Sequence, residues 1–85
     1  MRVHMRYFAS LREALGVEAE TITLPEDIED LQDLRHFLAA RGAPWSEAFA
    51  EHKALRAAIN QEVVKASARL QDQAEIAFFP PVTGG

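Results

Sequence analysis

The stretch from Ile28 to Leu38 constrains this chain more than any other part of it. Ile28, Leu31, Leu34, Phe37 and Leu38 recur at three- and four-residue spacing and set one apolar stripe along a helix. Pro25-Glu26-Asp27 opens that helix, and Glu26, Asp27, Glu29 and Asp30 crowd its first turns, where the helix dipole favours acids. Arg41 falls in the last turn, and Gly42 with Pro44 ends it. The chain has 85 residues and no cysteine, so it makes one small domain with no disulfide framework. The stripe has to be covered by what the flanking segments supply.

Those segments alternate. Val3, Met5 and Tyr7 against Arg2, His4 and Arg6 read as a half-buried first strand. Ser10-Leu11-Arg12-Glu13 fits a capping box, and Gly16 stands where a short helix would stop. Glu18–Leu24 alternates again and is rich in β-branched residues, which predicts a second strand antiparallel to the first. After the main helix, Ser46 to about Lys53 reads as a shorter helix capped by Ser46, with Trp45 and Phe49 spaced to pack together. Leu55, Ala57 and Ile59 mark a third strand, Asn60-Gln61-Glu62 a turn, and Val63-Val64 a short fourth strand. Arg69 to Ala74 is polar connection, and Glu75–Phe79 is the final strand. The order β, short α, β, long α, short α, β, β, β places the chain in the α+β class. A mixed sheet lies across one main helix, with the first and last strands paired at its centre. This is the β-grasp (ubiquitin-like) arrangement, expected over residues 1–79. Residues 80–85 are expected to form an extended, flexible C-terminal Gly-Gly tail.

Composition excludes several function classes. No apolar run approaches the roughly 20 residues of a membrane helix, and MRVHMRYF lacks the apolar core of a secretory signal, so a cytoplasmic protein with no membrane partner is expected. A net charge of −4 argues against nucleic acid as a partner. The charge is uneven, with eight acids and no Lys or Arg from Glu13 to Asp33. That run reads as a solvated face plus helix N-terminal acids, or alternatively as an acidic docking surface for a basic partner. His4 falls on the polar side of a strand, His36 and His52 on helices, and none has metal-ligand spacing, so no metal is expected. Ser67 lies in a loop, and no nucleophile elbow, phosphate-cradling loop or paired-carboxylate motif is visible. A self-contained catalyst is not expected.

The end of the chain, FFPPVTGG, is where chemistry remains possible. Phe78 shares strand parity with Ile76 and should be buried, which turns Phe79 outward to solvent or a partner. Pro80-Pro81 cannot donate ladder hydrogen bonds and hold the backbone extended. Gly84-Gly85 carries no side chains and can enter a slot too narrow for other residues. The only reactive group at such a tip is the α-carboxylate, inert until something with an ATP site activates it.

At this point the sequence resembles a known family, the small subunits of molybdopterin synthase, which are ubiquitin-like sulfur carriers of molybdenum cofactor biosynthesis. The resemblance covers essentially the whole chain. It rests on Tyr7-Phe8-Ala9-x-Leu11-Arg12-Glu13, on Ala58-Ile59-Asn60-Gln61 and on Glu75 to Gly85. It implies that Gly85 is adenylated by a ubiquitin-activating-like adenylyltransferase and then converted to a thiocarboxylate. Gly84, Thr83, Val82, Pro81 and Pro80 would thread a channel in the large synthase subunit, within a heterotetramer. Phe8, Val63 and Phe79, with Arg12 as a polar contact, would form the partner surface. It implies no cofactor on this chain, ATP-Mg being used by the activating partner, and a non-catalytic role within the sulfurtransferase complex. Where the family has Asp-Gly-Asp before the last strand, this chain has Asp72-Gln73-Ala74, so a turn of different type or looser geometry is expected. Lys65-Ala66-Ser67-Ala68 likewise replaces a more usual Asp-Pro region. The alternatives are a thiamine-type sulfur carrier and a ubiquitin-like protein modifier joined to lysines through Gly85.

Overall fold

A computed structural model describes residues 1–81. In chain order the elements are β1 (Arg2–Tyr7), α1 (Ala9–Leu15), β2 (Ala19–Thr23), α2 (Leu31–Ala39), α3 (Trp45–Ala48), β3 (Arg56–Ile59), β4 (Glu62–Val64) and β5 (Glu75–Phe79). The strands form one sheet in the order β2-β1-β5-β3-β4. Only the β1–β5 pair is parallel, so the sheet is mixed and its two central strands come from the two ends of the chain. This is the β-grasp architecture.

Strand parity decides what fills the core. Val3, Met5 and Tyr7 of β1 face the same way as Ile22 of β2, Ile76 and Phe78 of β5 and Ala57 of β3. Each is buried, and they join one cluster with Leu11, Leu15, Leu31, Leu34, Leu38 and Phe49 from the helical layer. The helices thus pack on one face of the sheet, as the stripe of α2 requires. Leu31, Leu34 and Leu38 are its buried residues, while Ile28 and Phe37 pack at the margin. Trp45 and Phe49 stack with centroids 6.0 Å apart, and Phe49 meets Phe78 edge-on at 5.3 Å.

Four local expectations need correction. The main helix starts at Leu31, not at Pro25, because Asp30 is an extended N-cap in a reciprocal capping box with Asp33. Residues 25–28 instead form a turn closed by Ile28 N–H donating to the Pro25 carbonyl. Arg41 and Gly42 correspondingly lie beyond the helix, whose C-cap is Ala40. Ser10 caps nothing: α1 is entered from extended Phe8 with no side-chain cap, the chain bending sharply at Ala9 (φ 54°). Gly16 does end α1, in the left-handed conformation at φ 71°. The third helix is a single turn with Pro44 as its N-cap, so Ser46 lies inside it and His52 in a turn beyond it. Arg35 explains the early stop. Its guanidinium donates to the carbonyls of Phe49 (3.0 Å), Ala50 and Lys53 (2.7 Å), satisfying acceptors that would otherwise need helical donors. Partial burial lowers its pKa from the ordinary value, against the opposing field of Glu51.

The Asp72-Gln73-Ala74 turn keeps tight geometry without glycine. Gln73 itself takes the left-handed conformation at φ 68°. Its N–H donates to the Arg2 carbonyl at 2.6 Å, and the Asp72 carboxylate accepts from the Arg2 N–H at 2.8 Å. That last bond holds the Asp72 carboxyl below the usual carboxylate range.

Candidate functional site

The helices leave the second face of the sheet uncovered, and the register sets what it presents. Arg6 stands beside Ala77, Ala77 beside Ala58, and Ala58 beside Val63, making one row across β1, β5, β3 and β4. One step further along, Phe79 pairs with Arg56. Tyr7 is opposite Phe78, so Phe8 and Phe79 leave their strands at the same end of the sheet. The result is an apolar area with a low floor, made by Ala58 and Ala77, between taller groups. Phe8 is 40% and Val63 53% exposed, unusually high for large apolar side chains. Phe79 is half-buried, as are Pro80 and Pro81 where the chain leaves the sheet.

The sequence-predicted surface residues are therefore brought to one region, with Phe79 outward and Phe78 (3% exposed) in the core as parity requires. Arg12 is exposed on α1, four residues after Phe8, whose carbonyl its N–H bonds at 3.3 Å. Val82, Thr83, Gly84 and Gly85 lie outside the described residues. Sequence reasoning missed Arg6, Arg56, Ala58 and Ala77. Arg6 and Ala77 were findable by counting two residues back from Phe8 and Phe79, since period two puts them on the same face. Arg56 and Ala58 needed the β3–β5 pairing.

The opposite end of the same face is polar and internally satisfied. His4 accepts from the Thr21 hydroxyl at Nδ1 (3.1 Å) and donates from Nε2 to Gln73 Oε1 (3.0 Å), this tautomer being assigned because Oε1 can only accept. His36 pairs with Glu51 at 2.7 Å on the helical side. Among the described residues no group of three His, Cys, Asp or Glu could hold a metal ion. The main buried polar contact is Tyr7, whose hydroxyl donates to Glu20 at 2.9 Å. Arg41 closes on the same carboxylate at 2.9 and 3.2 Å and lies over the Trp45 ring at 4.4 Å. Burial, then the Glu20 hydrogen bond and charge, raises the Tyr7 pKa far above its ordinary value, so this phenol is a structural donor.

Two clefts flank the sheet. One, about 350 Å³, lies between α2 and β3–β4 over Leu31, Leu55, Val64 and Phe78. The other, about 270 Å³, lies beside Pro80, between Leu11 and Ala14 of α1 and Ala48, Lys53 and Leu55. Neither brings a nucleophile, base and oxyanion donor together. What the described residues present is the apolar face, with the chain leaving the sheet beside it at Pro80-Pro81.

A family model described as the ThiS family matches residues 5–85. The chain belongs to the ThiS family. Among its curated relatives is the molybdopterin synthase sulfur carrier subunit of Haemophilus influenzae, 40% identical over 98% of this chain and 99% of the relative. The protein of the same description from Escherichia coli is 39% identical over the same shares. Among solved structures, a complex of subunits 1 and 2 of the molybdopterin-converting factor from Helicobacter pylori contains a chain that superposes with a TM-score of 0.64. It is 26% identical, and the match covers all of both chains. No helix among the described residues is long and apolar enough to cross a membrane.

Proposed function

We propose that this chain is the sulfur carrier subunit of a molybdopterin synthase, working through its C-terminal glycine. The observation that carries the reading is full-length likeness: the Haemophilus influenzae and Escherichia coli sulfur carrier subunits align over 98% of this chain, and the ThiS family model runs from residue 5 to residue 85. The geometry supports it, because β5 runs through the middle of the sheet and delivers Phe79-Pro80-Pro81 to the rim of the apolar face.

In this reading a partner adenylyltransferase uses ATP-Mg to convert the Gly85 carboxylate to an acyl-adenylate with release of pyrophosphate. A sulfur nucleophile at the sulfide level then attacks the carbonyl and expels AMP, leaving a thiocarboxylate. The large synthase subunit receives Pro80, Pro81, Val82, Thr83 and Gly84 in a channel, and Phe8, Val63, Phe79 and Arg12 hold its surface. There the sulfur passes to the pyranopterin precursor, and water restores the carboxylate. The chain itself binds no cofactor and supplies no acid or base. Its contribution is a stable body that positions a thin, reactive end.

Incubation with the activating enzyme, ATP and a sulfur source, followed by intact mass measurement, tests this. A mass gain of one sulfur for one oxygen, lost on removal of Gly84-Gly85, is expected. Lysine-linked adducts in place of that gain would indicate a protein modifier, and a truncated chain that still supports molybdopterin formation would refute the carrier reading.

A further inference from the structure

The open face of the sheet carries a charge opposite to that of the whole chain. Its outward positions include Arg2 and Arg6 on β1 and Arg56 on β3, whereas β2 contributes Ala19, Thr21 and Thr23 and β4 contributes Val63. The one carboxylate among those positions is Glu75, opposite His4 at the end remote from Phe79. Three arginines against one acid thus hold the strand positions of this face in a chain of net charge −4, with Asp72 beside Arg2 at the end remote from Phe79. Arg6 and Arg56 occupy the positions beside Ala77 and Phe79, so they bracket the apolar area. Both are exposed.

Arg6 and Arg56 are also uncommitted to any acid of this chain among the described residues. Among the described residues, Arg41 is paired with Glu20 and Arg69 with Glu29, but Arg2, Arg6, Arg12 and Arg56 form no ion pair. Arg6 instead lies over the exposed Phe8 ring, 5.5 Å from its centroid. A guanidinium is weakly hydrated and bonds carboxylates through two parallel donors, so an arginine held on an aromatic rim suits a partner's acid. Five of the chain's 13 acids are gathered elsewhere, on the approach to α2 and on its first turn, at Glu26, Asp27, Glu29, Asp30 and Asp33.

We propose that this face accepts a partner surface that is apolar at its centre and bears carboxylates opposite Arg6 and Arg56. The two arginines steer association and fix the angle of docking, and the apolar floor supplies affinity. The inference rests on the carrier reading and names the chemistry of its partner. It assigns the positive side of the contact to this chain, and so gives the acidic run from Glu13 to Asp33 no part in that docking.

The test is the association rate of the full chain with the large molybdopterin synthase subunit of the same genome. It is measured across ionic strengths where the screening length falls from about 10 Å at 0.1 M to about 3 Å at 1 M. The double variant Arg6→Glu, Arg56→Glu should associate roughly tenfold more slowly at the lower salt and match the wild type at the higher, as steering requires. Arg6→Lys should keep most of the rate. Arg69→Glu, a charge reversal on the helical side, should behave as wild type. Circular dichroism checks that each variant is folded, as exposed positions allow. Equal rates for the double variant and the wild type would overturn the proposal and leave the carrier reading standing, as would equal slowing by Arg69→Glu. A salt-sensitive dimer of the free chain would overturn it too, by showing a second copy's acids on this face. A wild-type chain that forms no complex and gains no sulfur would remove the carrier reading, and this inference with it.

Discussion

Replacing Gln61 by glycine should stabilise this protein. The β3–β4 hairpin closes through two residues, Asn60 and Gln61, between the paired Ile59 and Glu62. Both have positive φ, 50° and 70°, the signature of a type I′ turn that prefers Asn-Gly. Asn60 fits its place: its N–H donates to the Glu75 carbonyl at 2.8 Å and its Oδ1 accepts from the Glu75 N–H at 2.9 Å, pinning the hairpin to β5. Gln61 is exposed, and its side chain makes no hydrogen bond among the described residues. Left-handed backbone costs a residue with a Cβ roughly 1–2 kcal/mol. Glycine gives back about 0.5–1 kcal/mol of that through greater unfolded-state freedom. The balance is a gain of about 0.5–1 kcal/mol, or a rise in Tm of roughly 2–8 °C for a domain of this size. Gln73 is the internal control, because it has the same backbone strain at φ 68° but its side chain accepts from His4 at 3.0 Å. Losing that bond offsets the relief, so Gln73→Gly should fall within about 0.5 kcal/mol of wild type. Urea and thermal unfolding of the two variants supply the measurement. A Gln61→Gly protein no more stable than wild type would refute the strain argument. Equal gains in both would show that the His4 contact contributes nothing.

Leu34, fully buried on the α2 stripe, should cost about 2–5 kcal/mol when truncated to alanine, and unchanged thermal stability would undo the helix-face assignment. Tyr7 should give alkaline lability. Its folded pKa is raised above an unfolded value near 10, so stability is intact below that pH and falls above it by up to about 1.4 kcal/mol per pH unit. Tyr7→Phe should flatten that part of the pH profile, and an identical slope in both proteins would contradict it. Asp30→Ala removes the acceptor that bonds the Asp33 N–H at 2.8 Å and should cost about 1 kcal/mol, read by denaturant titration. A loss no larger than that of a surface substitution would show that α2 does not need its cap.

Most of the strand layout was legible because period two is local. The five strands, the inward set of β1, the turn after Ile59 and the bounds of β5 all follow from alternation and turn chemistry within a few residues, although Glu62, expected in that turn, is the first residue of β4. Helix ends were less legible, since each is settled by competition between signals. Pro25 reads as a helix start, yet Asp30 and Asp33 form the reciprocal cap and win. The length of α3 could not be read locally at all, because Arg35, from another helix, takes the carbonyls that would have continued it. The candidate site divides in the same way. Phe79 was marked by parity and Phe8 by the family resemblance, but their shared end of the sheet depends on the pairing of β1 with β5 from the far end of the chain, and the flanking arginines on that pairing and on β3 with β5.

By itself the sequence determined that one apolar helix stripe would be covered by a sheet, and that Phe78 and Phe79 would face opposite ways. These are consequences of side-chain periodicity. Only the tertiary structure decided that the uncovered face is cationic. Arg6 and Arg56 are unremarkable in a chain with more acids than bases, and they flank Ala77 and Phe79 because β5 is hydrogen-bonded between β1 and β3. Strand pairing converts scattered charges into a local field, and that field, not the net charge, is what a partner meets.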